Sequence, residues 1–239
     1  MTSILKVDGI CKNFDGLRAL SNVSFEVAEG AIFGLMGANG AGKTTLFAII
    51  AGQVKPSAGA VTFRKRVITG RPPDQICRMG ICRTFQIVRP FAGISVLDNV
   101  IVSALYGASA GHSATARKAA FAALEAVGLS ESADRLAGSL TLSGQKHLEI
   151  ARALATGAEL VLLDEVMAGL TPTEVTRMIA TLAELRRSRG LTFIVVEHVM
   201  DALMQLSDRI LALDQGVPIA IGTPAEVVEN TDVLKVYFG

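Results

Sequence analysis

The amino-acid sequence predicts an α/β fold built on a mostly parallel sheet. Short apolar segments of strand length alternate with longer helical segments through the second half of the chain. A glycine-rich segment in the first half lies between a predicted strand and a predicted helix, and an apolar strand further on ends in two acidic residues. Alternation of this kind is typical of parallel sheets whose strands are joined by helices.

The first part of the chain is rich in predicted strands. Alternating or continuous apolar residues predict strands at residues 4–10, 21–27, 31–35 and 61–63. A helix is expected at residues 43–51, and the proline and glycine at residues 55–59 predict a turn.

From about residue 88 the sequence becomes alanine-rich, which predicts a helical insertion. Apolar residues at helical spacing also predict one buried stripe on the later helix at residues 173–189. The predicted elements from the insertion onward are helical sequence with a loop at 107–115, continued helix at 117–127, helix 142–155, strand 160–163, helix 173–189, strand 193–196 and a strand-rich tail at 209–221.

Composition excludes several classes of protein. The 239 residues suffice for one compact domain, with or without a small subdomain, and the net charge of +1 gives no field that would recruit nucleic acid. No apolar run approaches the roughly 18 residues of a membrane span, and the first residues lack a signal-peptide core. The three cysteines form no C-x-x-C pair, and we expect reduced thiols in a cytosolic protein.

The glycine-rich segment at residues 37–45 fits the phosphate-binding P-loop pattern and predicts a site for a nucleoside triphosphate, a pattern that kinases, GTPases and transport ATPases share. Small residues let backbone amides turn towards the phosphates, Lys43 supplies positive charge, and the Thr44 hydroxyl is a ligand for Mg²⁺. The predicted phosphate-binding residues are Gly37, Asn39, Gly40, Ala41, Gly42, Lys43, Thr44 and Thr45.

Four further polar residues lie at the ends of predicted strands. Asp164 and Glu165 end an apolar strand, and their pattern predicts an Mg²⁺ ligand and a base that polarises the attacking water. His198 follows the next strand, where an imidazole can contact the γ-phosphate. Gln86 ends an earlier strand just before the insertion, and its amide can contact both Mg²⁺ and water. Because parallel strands end at one edge, these residues are expected to converge there.

In this order the motifs resemble the ATP-binding subunits of ABC transporters over essentially the whole chain. Residues 83–86, 148–152 and 168–172 are similar to those of high-affinity branched-chain amino acid importers. The resemblance implies one nucleotide-binding domain over residues 1–239, with an antiparallel β-subdomain, a core at about 1–86 and 158–239, and a helical subdomain at about 87–157. It also implies that Phe14 stacks on adenine, although as sequence Phe14 is equally a strand-end core residue.

The resemblance further implies a signature segment that contacts ATP bound by a partner cassette. Counting back from residues 148–152 places the segment at residues 140–144, with Thr141 in the serine's role and Ser143 and Gly144 near the phosphate. A literal match places it at residues 142–145 instead, and this second register remains open. Residues 167–171 match the family's D-loop, with Thr171 where an acid or amide is usual. Thr171 and Glu174 also predict a helix-capping box. Val166 replaces a common proline, a change with no evident reading.

By the same resemblance, the partners are a second ATP-binding subunit, identical or paralogous, and permease subunits, with a solute-binding protein engaged indirectly. The expected place is the cytoplasmic face of the inner membrane, as a peripheral subunit. Residues 87–100 are expected to offer an apolar groove to the permease, or else to pack in the core. A soluble ABC-class ATPase acting in DNA repair or translation is the alternative function, and the transported substrate is not fixed by these residues.

Overall fold

The computed structural model describes residues 2–84, 89–107 and 113–238. The chain divides into two compact units: residues up to Ile76 with those from Thr192 onward, and Cys77–Leu191. The sequence prediction drew a narrower helical subdomain, at about residues 87–157, and that boundary stays a prediction.

The first unit contains two sheets. The first sheet is antiparallel, in the order β2-β1-β4-β5. Its strands are β1 (Ser3–Phe14), β2 (Leu17–Ala28), β4 (Ala58–Phe63) and β5 (Arg66–Val67). Alternate side chains of β2 are buried, as the period-two pattern predicted, and the apolar face forms part of the core.

The second sheet of this unit runs in the order β10-β9-β3-β8. Its strands are β3 (Ile32–Gly37), β8 (Thr192–Val196), β9 (Arg209–Asp214) and β10 (Val217–Gly222). β3 is parallel to both β8 and β9, whereas β10 pairs antiparallel with β9 at the edge. Every residue of β3 and β8 is buried, which explains why both strands are apolar runs without alternation.

The helices of the first unit follow or connect these strands. They are α1 (Lys43–Ile50), α7 (Met200–Leu206), α8 (Pro224–Val228) and α9 (Thr231–Phe238). A further short helix, α2 (Pro73–Arg78), contains the boundary between the two units.

The second unit is mainly helical and has one parallel strand pair, β6 (Ile81–Arg83) with β7 (Leu160–Asp164). Its helices are α3 (Val96–Tyr106), α4 (Ser113–Ala126), α5 (Leu142–Ala155) and α6 (Pro172–Arg189). Met178, Leu182 and Leu185 of α6 are buried, so the predicted apolar stripe does face the interior. No helix in the described part of the chain is long and apolar enough to span a membrane.

The predicted fold class is confirmed, because parallel strands, an antiparallel sheet and a helical region are all present. The parallel pairs are β3 with β8, β3 with β9, and β6 with β7.

Candidate functional site

The P-loop follows β3 and turns sharply into α1. Gly42 has a φ of +100°, and a Cβ there would lie 2.7 Å from a Leu20 methyl carbon and 2.8 Å from the Ala19 carbonyl oxygen. A Cβ on Gly37 would lie 2.7 Å from both Ala41 Cβ and the Leu213 carbonyl oxygen. Glycine is therefore required at both positions by backbone geometry and close packing.

The start of α1 is suited to an anion. Its N-cap, Gly42, offers no side chain to the first amides, and its first turn contains no acidic residue. Lys43 is 7% exposed, and its Nζ donates to the carbonyl oxygens of Gly37 at 2.6 Å and Ala38 at 3.0 Å. Thr44 is exposed. First-turn amides without a side-chain cap, the positive helix end and a buried ammonium group match the charge of a triphosphate.

His198 is an exposed residue that follows β8. Because β8 is the parallel neighbour of β3, His198 and the P-loop leave the same edge of this sheet. Phe14 ends β1, where its side chain is 42% exposed and Lys12 Nζ lies 4.6 Å from the ring centroid. An aromatic face this exposed is not a core residue, and it can stack on a planar ligand.

In the second unit, the carboxylate of Asp164 is held by an arginine. Arg83 Nη2 donates to Asp164 Oδ2 at 2.7 Å, and the two side chains are 9% and 6% exposed. The Thr84 hydroxyl accepts a hydrogen bond from the Asp164 amide at 3.3 Å. Asp164 is therefore fixed at the end of β7, beside the end of β6.

Glu165 lies directly after β7 in an unusual backbone conformation. Its φ is +52°, in the left-handed region that residues with a Cβ rarely adopt. Its carbonyl oxygen accepts from Lys146 Nζ at 2.9 Å and from the Ala168 amide at 3.3 Å. The next residue, Val166, is 2% exposed and so belongs to the core, but nothing in the structure explains the absence of proline there.

The signature segment coincides with the start of α5. Thr141 is the N-cap of α5, and its hydroxyl accepts from the Gly144 amide at 3.2 Å. Leu142 is 45% exposed and lies near the D-loop glycine, Gly169, whereas Ser143 is 7% exposed. The amides of Leu142 and Ser143 follow this cap at the start of the helix, and both residues belong to either register, so the register at residues 140–144 stays a prediction.

A cavity of about 680 Å³ opens beside this helix start. It is bounded by the end of α4 with the following loop, the first turns of α5, and one face of α6. Its lining includes Thr141, Ser143, Gly144, His147, Arg177 and Thr181.

His147 is a buried imidazole at the inner side of this cavity. Its Nδ1 lies 2.8 Å from the Ser143 carbonyl oxygen, and its Nε2 lies 3.5 Å from the Thr181 hydroxyl oxygen. Burial lowers the pKa of His147, the hydrogen bond with Ser143 partly opposes this, and Arg177 lowers the pKa further while Glu174 raises it. The neutral imidazole therefore joins the signature segment to α6.

This pKa predicts a loss of stability in mild acid. The folded chain binds the His147 proton less tightly than the unfolded chain does, so stability is full above about pH 6.5 and falls as the pH drops towards the lowered folded value. We expect the unfolding temperature to fall between about pH 7 and about pH 5, and to fall less in the variant His147→Gln. Thermal unfolding of both proteins across this range checks it, and equal slopes would contradict it.

Thr171 forms the predicted capping box. Its hydroxyl accepts from the Glu174 amide at 3.4 Å, and the Glu174 carboxylate accepts from the Thr171 amide at 2.9 Å. The helix begins at Pro172, one residue before the predicted start. Thr171 therefore caps α6 at the end of the D-loop. Any contact between Thr171 and a partner cassette would have to leave this cap intact.

One predicted site residue, Gln86, lies outside the described residues. Three contacts were not foreseen from sequence: Arg83 with Asp164, Lys146 with the Glu165 carbonyl, and His147 with Ser143. Arg83 belongs to residues 83–86, which resemble the family but gave no role for Arg83 itself. Lys146 and His147 belong to the helix from which the signature register is counted. No signal in the sequence singled out Lys146, because Ser143 and Glu149 lie beside it at helical spacing.

Comparison with known proteins agrees with these features. The profile of the ABC transporter family matches residues 20–168. The chain is 42% identical to the high-affinity branched-chain amino acid transport ATP-binding protein LivG of Salmonella typhimurium, covering 99% of this chain and 98% of LivG. It is 37% identical, with the same coverage, to the corresponding protein BraF of Pseudomonas aeruginosa.

Solved structures give the same answer. The ADP conformation of MJ1267, an ATP-binding cassette of an ABC transporter, is similar with a TM-score of 0.90 and 30% identity, covering 100% of both chains. A dimeric cassette, MJ0796 with ADP and Pi, is similar with a TM-score of 0.80 and 25% identity, covering 92% of this chain and 98% of that one. The chain belongs to the ABC transporter family, as one of its ATPase cassettes.

Proposed function

We propose that the chain is the ATP-binding and ATP-hydrolysing subunit of an importer that takes up branched-chain amino acids or a related small solute through a permease. The observation that carries this proposal is the likeness over nearly the full length to LivG and BraF, both named for branched-chain amino acid transport. The alternative role in DNA repair or translation gains no support from these relatives.

In this proposal the P-loop holds the phosphates of ATP. Amides after Gly37 and at the start of α1 bind the phosphate oxygens, and Lys43 neutralises their charge. Asn39, Gly40, Ala41, Gly42 and Thr45 complete the loop, and Phe14 stacks on the adenine ring. The exposure of Phe14 and the steric need for glycine at positions 37 and 42 support these assignments.

Mg²⁺ would be held by few protein oxygens. Within the described ranges, no group of three or more His, Cys, Asp or Glu residues could hold a metal ion. A magnesium ion that also binds phosphates needs only one or two protein ligands, and the Thr44 hydroxyl and Asp164 carboxylate are of the kind it prefers. Gln86 is proposed as a further ligand. When bound, Mg²⁺ supplies charge neutralisation for phosphoryl transfer.

For hydrolysis, we assign Glu165 as the base that takes a proton from the attacking water, and His198 as a donor to the γ-phosphate. Glu165 is partly exposed, so its carboxylate can reach water, while hydrogen bonds from Lys146 and the Ala168 amide fix its backbone. A base held in this way does not need to reorganise before each turnover.

A cassette of this family works with a partner cassette. The signature segment would contact ATP bound by that partner through Thr141, Ser143 and Gly144, and we keep the register at residues 140–144 because the spacing to residues 148–152 gives it. Whether the partner is identical or paralogous is not specified by these residues. We place the assembly at the cytoplasmic face of the inner membrane, peripherally, with a solute-binding protein as an indirect partner.

A docking surface for the permease is proposed on the second unit. It consists of Phe91, Ile94 and Leu136, which are 50%, 37% and 56% exposed. The Ala137 amide donates to the Ile94 carbonyl, so the two segments lie side by side. Of the predicted groove at residues 87–100, positions 87 and 88 lie outside the described residues. The described part is partly exposed at Phe91 and Ile94, whereas Val96, Leu97 and Val100 are core residues.

Replacing Phe91 with a charged residue tests the docking surface. Arg152 lies over the Phe91 ring, 5.4 Å from its centroid, and Arg117 lies over the Phe121 ring at 5.3 Å, so the two phenylalanines are a matched pair. We expect Phe91→Asp to abolish co-purification with the permease and to preserve basal ATPase activity, because a charge at an apolar contact opposes its desolvation.

The control Phe121→Asp, on α4, should co-purify as the wild type does. Equal retention of the permease by both variants would contradict the proposed surface. The substrate is tested separately. The chain is reconstituted with the permease and binding protein encoded by neighbouring genes, and uptake of labelled leucine is measured.

A further inference from the structure

Lys146 is a buried lysine whose ammonium group binds the backbone of another functional residue. It lies in α5, is 3% exposed, and its Nζ donates to the Glu165 carbonyl oxygen at 2.9 Å. Burying an ammonium group is costly unless its hydrogen bonds are made, and an apolar side chain could fill the same space. The charge at this position therefore calls for an explanation beyond packing.

The hydrogen bond from Lys146 is made to a residue with a strained backbone. Glu165 has a φ of +52°, and the left-handed region is strained for a residue with a Cβ. Its carbonyl oxygen also accepts from the Ala168 amide at 3.3 Å, which closes the turn after β7. Because the direction of the Cα–Cβ bond follows from the backbone dihedrals, fixing this carbonyl also fixes the point from which the carboxylate extends and limits the rotamers open to it.

The donor belongs to the helix that carries the signature segment. Thr141 caps that helix, and Ser143 lies one turn before Lys146. A shift of the first turns of α5 would therefore move Lys146 and with it the Glu165 peptide. A direct hydrogen bond, from Lys146 Nζ to the Glu165 carbonyl oxygen, therefore joins the two segments.

We infer that Lys146 is a positioning residue for hydrolysis: it orients Glu165 and ties that orientation to the signature helix. The inference rests on the proposed role of Glu165 as the base. In a working pair of cassettes, a signature segment engaged with the partner's ATP would hold its own Glu165 in place. Each cassette would then hydrolyse ATP efficiently when its own signature segment contacts the ATP bound by the partner.

The test replaces the ammonium group with a chain of similar length. Lys146→Met should lower kcat by about 10- to 100-fold, as small displacements of catalytic groups do. The KM for ATP should stay within about twofold of the wild-type value, because the P-loop and Lys43 are unchanged. The variant should remain folded, because Met fills a similar volume and the Glu165 carbonyl keeps its hydrogen bond from the Ala168 amide.

Two variants control this result. Lys146→Arg keeps a charged donor that can reach the Glu165 carbonyl and should recover part of kcat. Lys235→Met removes an exposed lysine on α9, which pairs with Asp232 at 3.2 Å, and should have wild-type kinetics. A normal kcat in Lys146→Met overturns the inference. Loss of folding or of ATP binding in that variant also overturns it, because Lys146 would then serve the fold.

The proposed base is tested in parallel. If Glu165→Gln is inactive and Lys146→Met is fully active, only the positioning role fails. If Glu165→Gln hydrolyses ATP at the wild-type rate, the proposed role of Glu165 fails and the inference fails with it.

Discussion

Replacing Glu165 with glutamine is expected to lower ATP turnover by about 10²- to 10⁴-fold while ATP still binds. Glutamine has nearly the same shape, so the left-handed backbone and the hydrogen bond from Lys146 to its carbonyl can persist. The amide cannot accept a proton from the attacking water. Binding is carried by the P-loop, which the substitution does not alter.

Phosphate release under saturating ATP and a separate nucleotide-binding titration measure the two effects. Glu131→Gln is a suitable control, because Glu131 is an exposed carboxylate of the same unit with no assigned role. Wild-type hydrolysis by Glu165→Gln would exclude Glu165 as the base. Weakened binding with unchanged kcat would instead point to a role in holding the nucleotide.

The second large effect is expected for Lys43→Ala, which should weaken ATP binding by about 10- to 100-fold. A hydrogen bond to a charged group contributes about 1.5–3 kcal/mol, and each 1.4 kcal/mol is a factor of about ten. Lys43 Nζ is held by the Gly37 and Ala38 carbonyls at the loop itself, so its position is set before any phosphate arrives. Alanine leaves those carbonyls and the phosphate charge without that cation.

Nucleotide affinity measured by calorimetry checks this prediction. Lys55→Ala removes an exposed lysine from the same unit and should bind ATP normally. If Lys43→Ala and Lys55→Ala bind equally well, the segment at residues 37–45 is not the phosphate site.

The sequence predicted those elements whose signal is local. Helix 142–155 was predicted with the observed limits, because Thr141 provides a cap and the helix turns are regular. Predicted strands 4–10 and 21–27 extend to Ser3–Phe14 and Leu17–Ala28, since pairing between neighbouring strands continues past the apolar core. The short helices α2 and α7 were not predicted, because six or seven residues contain too few turns for a periodic pattern.

The candidate site shows the same limit. The P-loop and the acidic pair at the end of β7 are short motifs, so they can be recognised from neighbouring residues. Arg83 and Asp164 are 81 residues apart, and Lys146 and Glu165 are 19 apart, so both contacts exist only after folding. Spacing along the chain does not encode which buried charge meets which carbonyl or carboxylate.

The left-handed backbone of Glu165 has a consequence for engineering. A residue with a Cβ in this region costs about 1–3 kcal/mol, and glycine or asparagine would occupy it with less strain. Thermostability screening would therefore favour replacing the residue that the proposed chemistry requires. A stabilised variant of this cassette should keep Glu165 and place its stabilising substitutions at other positions. At residue 165, thermal stability and ATP turnover favour different side chains.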